Sequence, residues 1–162
     1  MEKIKFTEVK DLETLVINNV DLIDMAYFDW DNYSYLIAQY HPELLVPDKY
    51  NWGEFSWYIS KYCPQHFNSE RYNWKKDSWA VAQYCPQHFD SEKYNWEKDS
   101  WAIAKHFSEK LDPEKYNWRY FSWSIAKHCP QYFDSEKYHW KRDSWAVEKY
   151  CPDKLELKPK EV

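Results

Sequence analysis

From residue 30 to residue 151 the apolar and polar positions of this chain recur with a single period. Tryptophan stands at Trp30, Trp52, Trp74, Trp96, Trp118 and Trp140, each 22 residues after the last. Five positions further on, a second column holds Trp57, Trp79, Trp101, Trp123 and Trp145, with Tyr35 in the first copy; the two columns account for all 11 tryptophans. A fixed period in the range of about 20–50 residues is the signature of a stacked repeat array, in which each unit buries its apolar face only against its neighbours.

One unit predicts one helix and one return segment. The stretch Trp74 to Tyr84 lacks glycine and proline, and Ala80, Val81 and Ala82 favour helix. Asn73 precedes it as an N-cap, a choice repeated by Asp29, Asn51, Asn95 and Asn117 and broken by His139. Pro86 ends it, because the residue before proline is pushed out of the α region; Pro42, Pro64, Pro130 and Pro152 do the same. A helix of about eleven residues spans about 17 Å. The nine-residue return, Pro86 to Tyr94, covers that length as a 3₁₀-like path at about 2.0 Å per residue. The fold class expected is therefore all-α, a short-period α-solenoid of 22-residue repeats. Residues 1–29, with a helix over 11–19, form a divergent N-terminal capping repeat; residues 30–151 form six Trp-rich repeats; residues 152–162 form a charged C-terminal cap or tail, frayed beyond Leu157. In architecture alone this resembles the alternating α/3₁₀ solenoids of the leucine-rich-repeat-variant type. A β-hairpin array is excluded by the single glycine, Gly53, since tight hairpins need residues with positive φ.

The columns divide into two arcs. Trp74, Ser78, Trp79, Val81, Ala82 and Cys85 are expected to face the stack, because most of these columns barely change between copies. The serine column is expected to admit the neighbouring helix while its hydroxyl bonds back to the previous turn. Lys76, Asp77, Ala80, Gln83 and Tyr84 are expected on the opposite, variable arc.

Composition narrows the chemistry. Aromatics make up 21% of the 162 residues and the net charge is −5, with acidic and basic residues interleaved, so no basic stripe points to nucleic acid. The first residues carry no apolar signal core and no run is long enough to span a bilayer, so a cytoplasmic protein with no membrane association is expected. Cys63, Cys85, Cys129 and Cys151 share one repeat column with His41 and Phe107. Equivalent atoms one repeat apart lie about 8–10 Å from each other, beyond the about 7 Å that a disulfide tolerates. Buried free thiols follow. Cys63–His66 and Cys85–His88 have a zinc-like spacing, but Tyr132 and Lys154 replace the histidine in two other copies, so no metal is expected. Neither a nucleophile elbow nor a phosphate loop is present, and repetition spreads carboxylates and histidines over every unit. No cofactor and no enzymatic activity are expected.

The candidate site is the aromatic content of the variable arc: Tyr33, Tyr40, Phe55, Tyr58, Tyr62, Tyr84, His106, Tyr120, Phe121 and His128. Phe55 and Phe121 interrupt a column that is aspartate at Asp77, Asp99 and Asp143. Outward apolar groups mark interaction surfaces. The function expected is a protein–protein interaction module, another protein being the partner. An inhibitor or scaffold of a host factor, in phage–bacterium conflict, is the specific case that size and near-identical copies suggest. The alternative is a module that stacks sugars or single-stranded bases on its exposed rings.

Overall fold

The computed structural model describes residues 12–159. Seven α-helices alternate with 3₁₀ turns: α1 (Leu12–Asn19), α2 (Trp30–Tyr40), α3 (Trp52–Tyr62), α4 (Trp74–Tyr84), α5 (Trp96–His106), α6 (Trp118–His128) and α7 (Trp140–Tyr150). Every helix from α2 onward starts on the first tryptophan of its repeat, is 11 residues long, and stops one residue before the 3₁₀ turn. The described residues contain no β-strand. This is the all-α short-period solenoid that the period predicts. The return differs in detail. Only its first three residues are 3₁₀, as at Pro86–His88; a short extended step and a separate turn follow before the next N-cap.

The chain divides into two compact units, residues 1–77 and 78–162. In the first, α1 packs on α2 and α2 on α3; in the second, α5 packs on α6 and α6 on α7. Each core repeats one layer. In the second unit the layer holds Trp96, Ser100, Ala102, Ile103 and Ala104 from α5 and Trp118, Ser122, Ile125 and Ala126 from α6, all buried. The last layer closes on Ala126, Tyr138, Ala146, Val147 and Cys151. All four cysteines are free and buried, as their column spacing predicts. Burial pushes the Cys63 and Cys129 thiols up to about 12, which keeps them protonated and unreactive.

Five bonds recur at the junctions. The N-cap asparagine accepts from its own first turn, Glu54 N–H to Asn51 at 3.1 Å, and its amide donates to the carbonyl of the preceding helix, Asn51 to Asp31 at 2.7 Å and Asn73 to Gly53 at 2.8 Å. Aspartate can accept but not donate, and it occurs as N-cap only at Asp29, ahead of the first full helix. The N-cap N–H donates to the serine of the preceding helix, from Asn51 to Ser34, Asn73 to Ser56, Asn95 to Ser78, Asn117 to Ser100 and His139 to Ser122, at 2.9–3.3 Å. The tryptophan Nε1–H donates five residues back, for example Trp96 to the Ser91 carbonyl at 2.9 Å. From α3 onward a tyrosine hydroxyl two residues before the helix donates to the carbonyl of its fourth residue, as Tyr50 does to Phe55 and Tyr138 to Asp143, both at 2.8 Å. That phenol draws the carbonyl out of the helical ladder. The backbone leaves helical values at this position in α3, α4 and α6 (φ −122 to −126°).

The structure overturns two assignments of face. Asp77, Asp99, Asp143 and Ala80 are buried, not outward. The second tryptophan column does not face the stack: Trp57, Trp79, Trp101 and Trp123 are half-buried and Trp145 is 49% exposed. At about 100° per residue the fifth position after the first tryptophan lies about 140° around the helix from it, outside the face that packs. The serines also do more than bond to their own helix. Ser56 and Ser100 donate back to Trp52 and Trp96, but Ser78 and Ser122 donate forward to Asp99 and Asp143, at 2.6 and 2.5 Å.

Candidate functional site

In the first unit the candidates Phe55, Tyr58 and Tyr62 lie together on α3, and the α2 ring that meets them is Tyr35, which is not among the candidates. Tyr35 meets Phe55 at 5.1 Å and Tyr58 at 5.2 Å between ring centres, and Tyr58 stacks on Tyr62 at 5.9 Å. Trp57 lies 3.9 Å from Tyr58, and the Lys61 ammonium sits 4.7 Å from the Tyr62 ring and 5.8 Å from that of Trp57. Phe55, Tyr58 and Tyr62 follow one another on α3 at steps of three and four residues, which helical winding brings to one side. Tyr40, 38% exposed, ends α2, and Tyr33 is half-buried near its start.

In the second unit the candidates are spread along successive helices. Tyr84, His106 and His128 occupy the last position of α4, α5 and α6 and are half-buried. Each leans on the tryptophan five residues before it: Trp79 on Tyr84 at 6.1 Å, Trp101 on His106 at 6.4 Å and Trp123 on His128 at 6.5 Å. Burial, then the neighbouring Lys105 and Lys127 respectively, lower both histidines below the ordinary imidazole value, so they are neutral at pH 7. Tyr120 is the most exposed of the candidates, at 54%, and lies 6.5 Å from half-buried Phe121. Phe121 closes an open, mostly apolar groove of about 470 Å³ with Trp79, Lys98, Asp99 and Trp101.

Two features of the site were missed by reasoning from the sequence. One is the tryptophan ladder itself, whose helical angle was a sufficient signal. The other is charge. Acidic and basic residues interleave along the chain but separate in space. The exposed charges of α5, α6 and α7 are Lys98, Lys105, Arg119, Lys127, Lys141, Arg142 and Lys149 against Glu97 and Glu148, because Asp99 and Asp143 are buried. On the return segments Lys115 meets Glu92 at 2.5 Å and Lys137 meets Glu114. On the helices Lys105 sits 5.9 Å from the Trp101 ring and Lys127 6.0 Å from that of Trp123 and 5.7 Å from that of Tyr150.

Among the described residues no group of three His, Cys, Asp or Glu side chains is placed to hold a metal ion, and no helix is long and apolar enough to cross a membrane. The two buried carboxylates of the second unit are structural. Asp99 accepts from Ser78 and from the Trp79 N–H at 3.2 Å; Asp143 accepts from Ser122, from the Trp123 N–H at 3.2 Å and from Arg142 at 2.6 Å. No protein-family model, curated protein or solved structure matches the chain.

Proposed function

We propose that the chain is a non-enzymatic interaction module that binds another protein through the outer faces of its helices. Support comes from one observation above the rest: the second tryptophan column, Trp57, Trp79, Trp101, Trp123 and Trp145, stays partly exposed in a fold that buries the first-column residues Trp30, Trp52, Trp74, Trp96 and Trp118. Leaving indole in water sacrifices about 25 cal/mol for each Å² not buried. Tryptophan and tyrosine are also the side chains that anchor protein interfaces. Tyr58, Tyr62, Tyr120 and Phe121 extend the same faces, next to lysines that add charge at the rim. An inhibitory or scaffolding role toward a host factor, including one in phage–bacterium conflict, is the use that a catalysis-free surface of this size suits.

The test is a selection of a displayed peptide library on the immobilised chain, read alongside tryptophan fluorescence with oligosaccharides and oligothymidylate. Peptides that enrich, shift the indole emission and compete with one another are the expected result. Saturable quenching by a sugar or an oligonucleotide, with no peptide enriched, would replace this reading by ring-stacking of small ligands or bases.

A further inference from the structure

We propose that the outer face of α5, α6 and α7 takes an acidic segment in the polyproline-II conformation, with one carboxylate for each repeat. This deepens the protein-binding reading and rests on it. Three lysines, Lys105, Lys127 and Lys149, occupy the same position of three successive helices, each four residues after Trp101, Trp123 or Trp145. That spacing puts each ammonium on the same side of its helix as the indole. All three lysines are exposed, and among the described residues none is in an ion pair. Their neighbours are rings, with Lys149 5.2 Å from Tyr150 and Lys127 between Trp123 and Tyr150. A row of cations held against apolar rings, without carboxylates of its own, is complementary to an anion that brings apolar groups with it.

Spacing selects the anion. Packed helices stand about 8–10 Å apart, so the ammonium row advances by about that step. A polyproline-II chain has three residues per turn and rises about 3.1 Å per residue, so every third side chain points the same way about 9 Å further on. A β-strand turns every third side chain to the opposite face. The two residues between successive carboxylates then lie on the indoles, and the groove between Trp79 and Trp101 has room for a proline-sized group. Nucleobases fit less well. Stacking a base takes a whole ring face, which at Trp101 and Trp123 is already shared with a lysine ammonium, whereas a proline-sized group needs only part of one.

The experiment titrates the intact chain by tryptophan fluorescence with three probes. They are a peptide of about nine residues with Glu at every third position and proline between, its Gln counterpart, and oligothymidylate of similar length. The Glu peptide is expected to bind at least tenfold more tightly than the Gln peptide, about 1.4 kcal/mol, and to weaken as salt is added. The triple variant Lys105→Gln, Lys127→Gln, Lys149→Gln keeps the aliphatic stems and is expected to lose that preference while retaining wild-type helical circular dichroism. If the triple variant misfolds, the Glu-versus-Gln comparison on the wild-type chain decides alone. Equal binding of the Glu and Gln peptides overturns the acidic occupant and leaves the protein-binding reading standing. Binding of oligothymidylate with neither peptide bound overturns both. Binding of no probe overturns the inference only, since the library selection tests the wider reading separately.

Discussion

The junctions before α5 and before α6 solve one problem in two ways. In the first, Asp99 reaches back to the Ser78 hydroxyl and the Trp79 N–H, at 2.6 and 3.2 Å. In the second, Phe121 stands where the carboxylate would be, and Ser100 turns its hydroxyl to the Trp96 carbonyl instead. Both junctions keep the bond from the next N-cap to the serine, 3.1 Å from Asn95 and 3.0 Å from Asn117. The serine must accept, therefore, but its own proton has two homes. This freedom lets the fourth position of a helix alternate between a structural carboxylate and an aromatic ring that serves the outer surface. The junction before α7 repeats the aspartate solution, with Arg142 added at 2.6 Å.

The strongest way to break the comparison is to remove what both kinds of junction share. Trp96→Ala takes out a buried indole and its bond to Ser91. It is expected to cost about 3–5 kcal/mol in urea unfolding; a loss under about 1 kcal/mol would mean that the first tryptophan column does not carry the stack. Next come the serines. Ser122→Ala removes a donor from the buried Asp143 carboxylate as well as an acceptor from His139, and is expected to cost about 1–3 kcal/mol. Ser100→Ala, with no carboxylate in play, is expected to cost about 1 kcal/mol less, and equal losses would erase the distinction between the junctions.

A smaller effect on stability is expected from Phe55→Asp with Phe121→Asp, which converts aromatic junctions into aspartate ones. The helical circular dichroism should stay at wild type, because Ser100 and the Trp101 N–H stand in the same column as the partners of Asp99. Binding of a selected peptide should fall more than tenfold, about 1.4 kcal/mol. Unfolding of this variant would show that the rings belong to the core.

The smallest effect concerns the two carboxylates. Burial raises Asp99 above the ordinary carboxylate value despite its bond from Ser78. Burial opposes ionisation of Asp143 too, but Arg142 and Ser122 overcome it and hold that carboxyl below the ordinary value. The signs are opposite. The Asp143 contribution is present above the unfolded value of about 3.9 and is lost as pH falls through its depressed folded value. For Asp99 the folded state holds the extra proton, so stability declines as pH rises from about 3.9 through the raised value. Lys98→Arg gives Asp99 a guanidinium like that of Arg142. Carbon-detected NMR titration should find the Asp99 carboxyl shifted down, with a stability gain below about 1 kcal/mol because the arginine is solvent-screened. An unmoved Asp99 would assign the difference between the sites to burial alone.

The sequence was most informative where a column had one physical role. Trp30, Trp52 and Trp74 mark helix starts, the prolines mark helix ends, and the cysteine column follows repeat geometry. It misleads at Asp77, Asp99 and Asp143, because variation in a column does not require exposure. These positions vary because the serine opposite can do without them. It misleads at Trp79 and Trp101 for the converse reason, since a constant column need not be buried. Of the candidate residues, Phe55, Tyr58 and Tyr62 could be grouped from their spacing on one helix. The period aligns Lys105 with Lys127 and Lys149 as well, but it does not show their lack of carboxylate partners among the described residues, because along the chain each is surrounded by charges that the return segments carry elsewhere.

The junction bonds have a consequence for how such a chain can change its length. They join positions 17 and 20 residues apart, from N-cap to serine and from N-cap amide to helix carbonyl. A duplicated stretch of one full period therefore carries its own donor, its own acceptor and the tryptophan that covers them, and inserts without orphaning a partner on either side. An insertion of any other length strands an asparagine and a serine together. Recombination between near-identical copies can thus lengthen or shorten the array by whole layers, and with each layer the ladder of indoles and lysines gains or loses one rung.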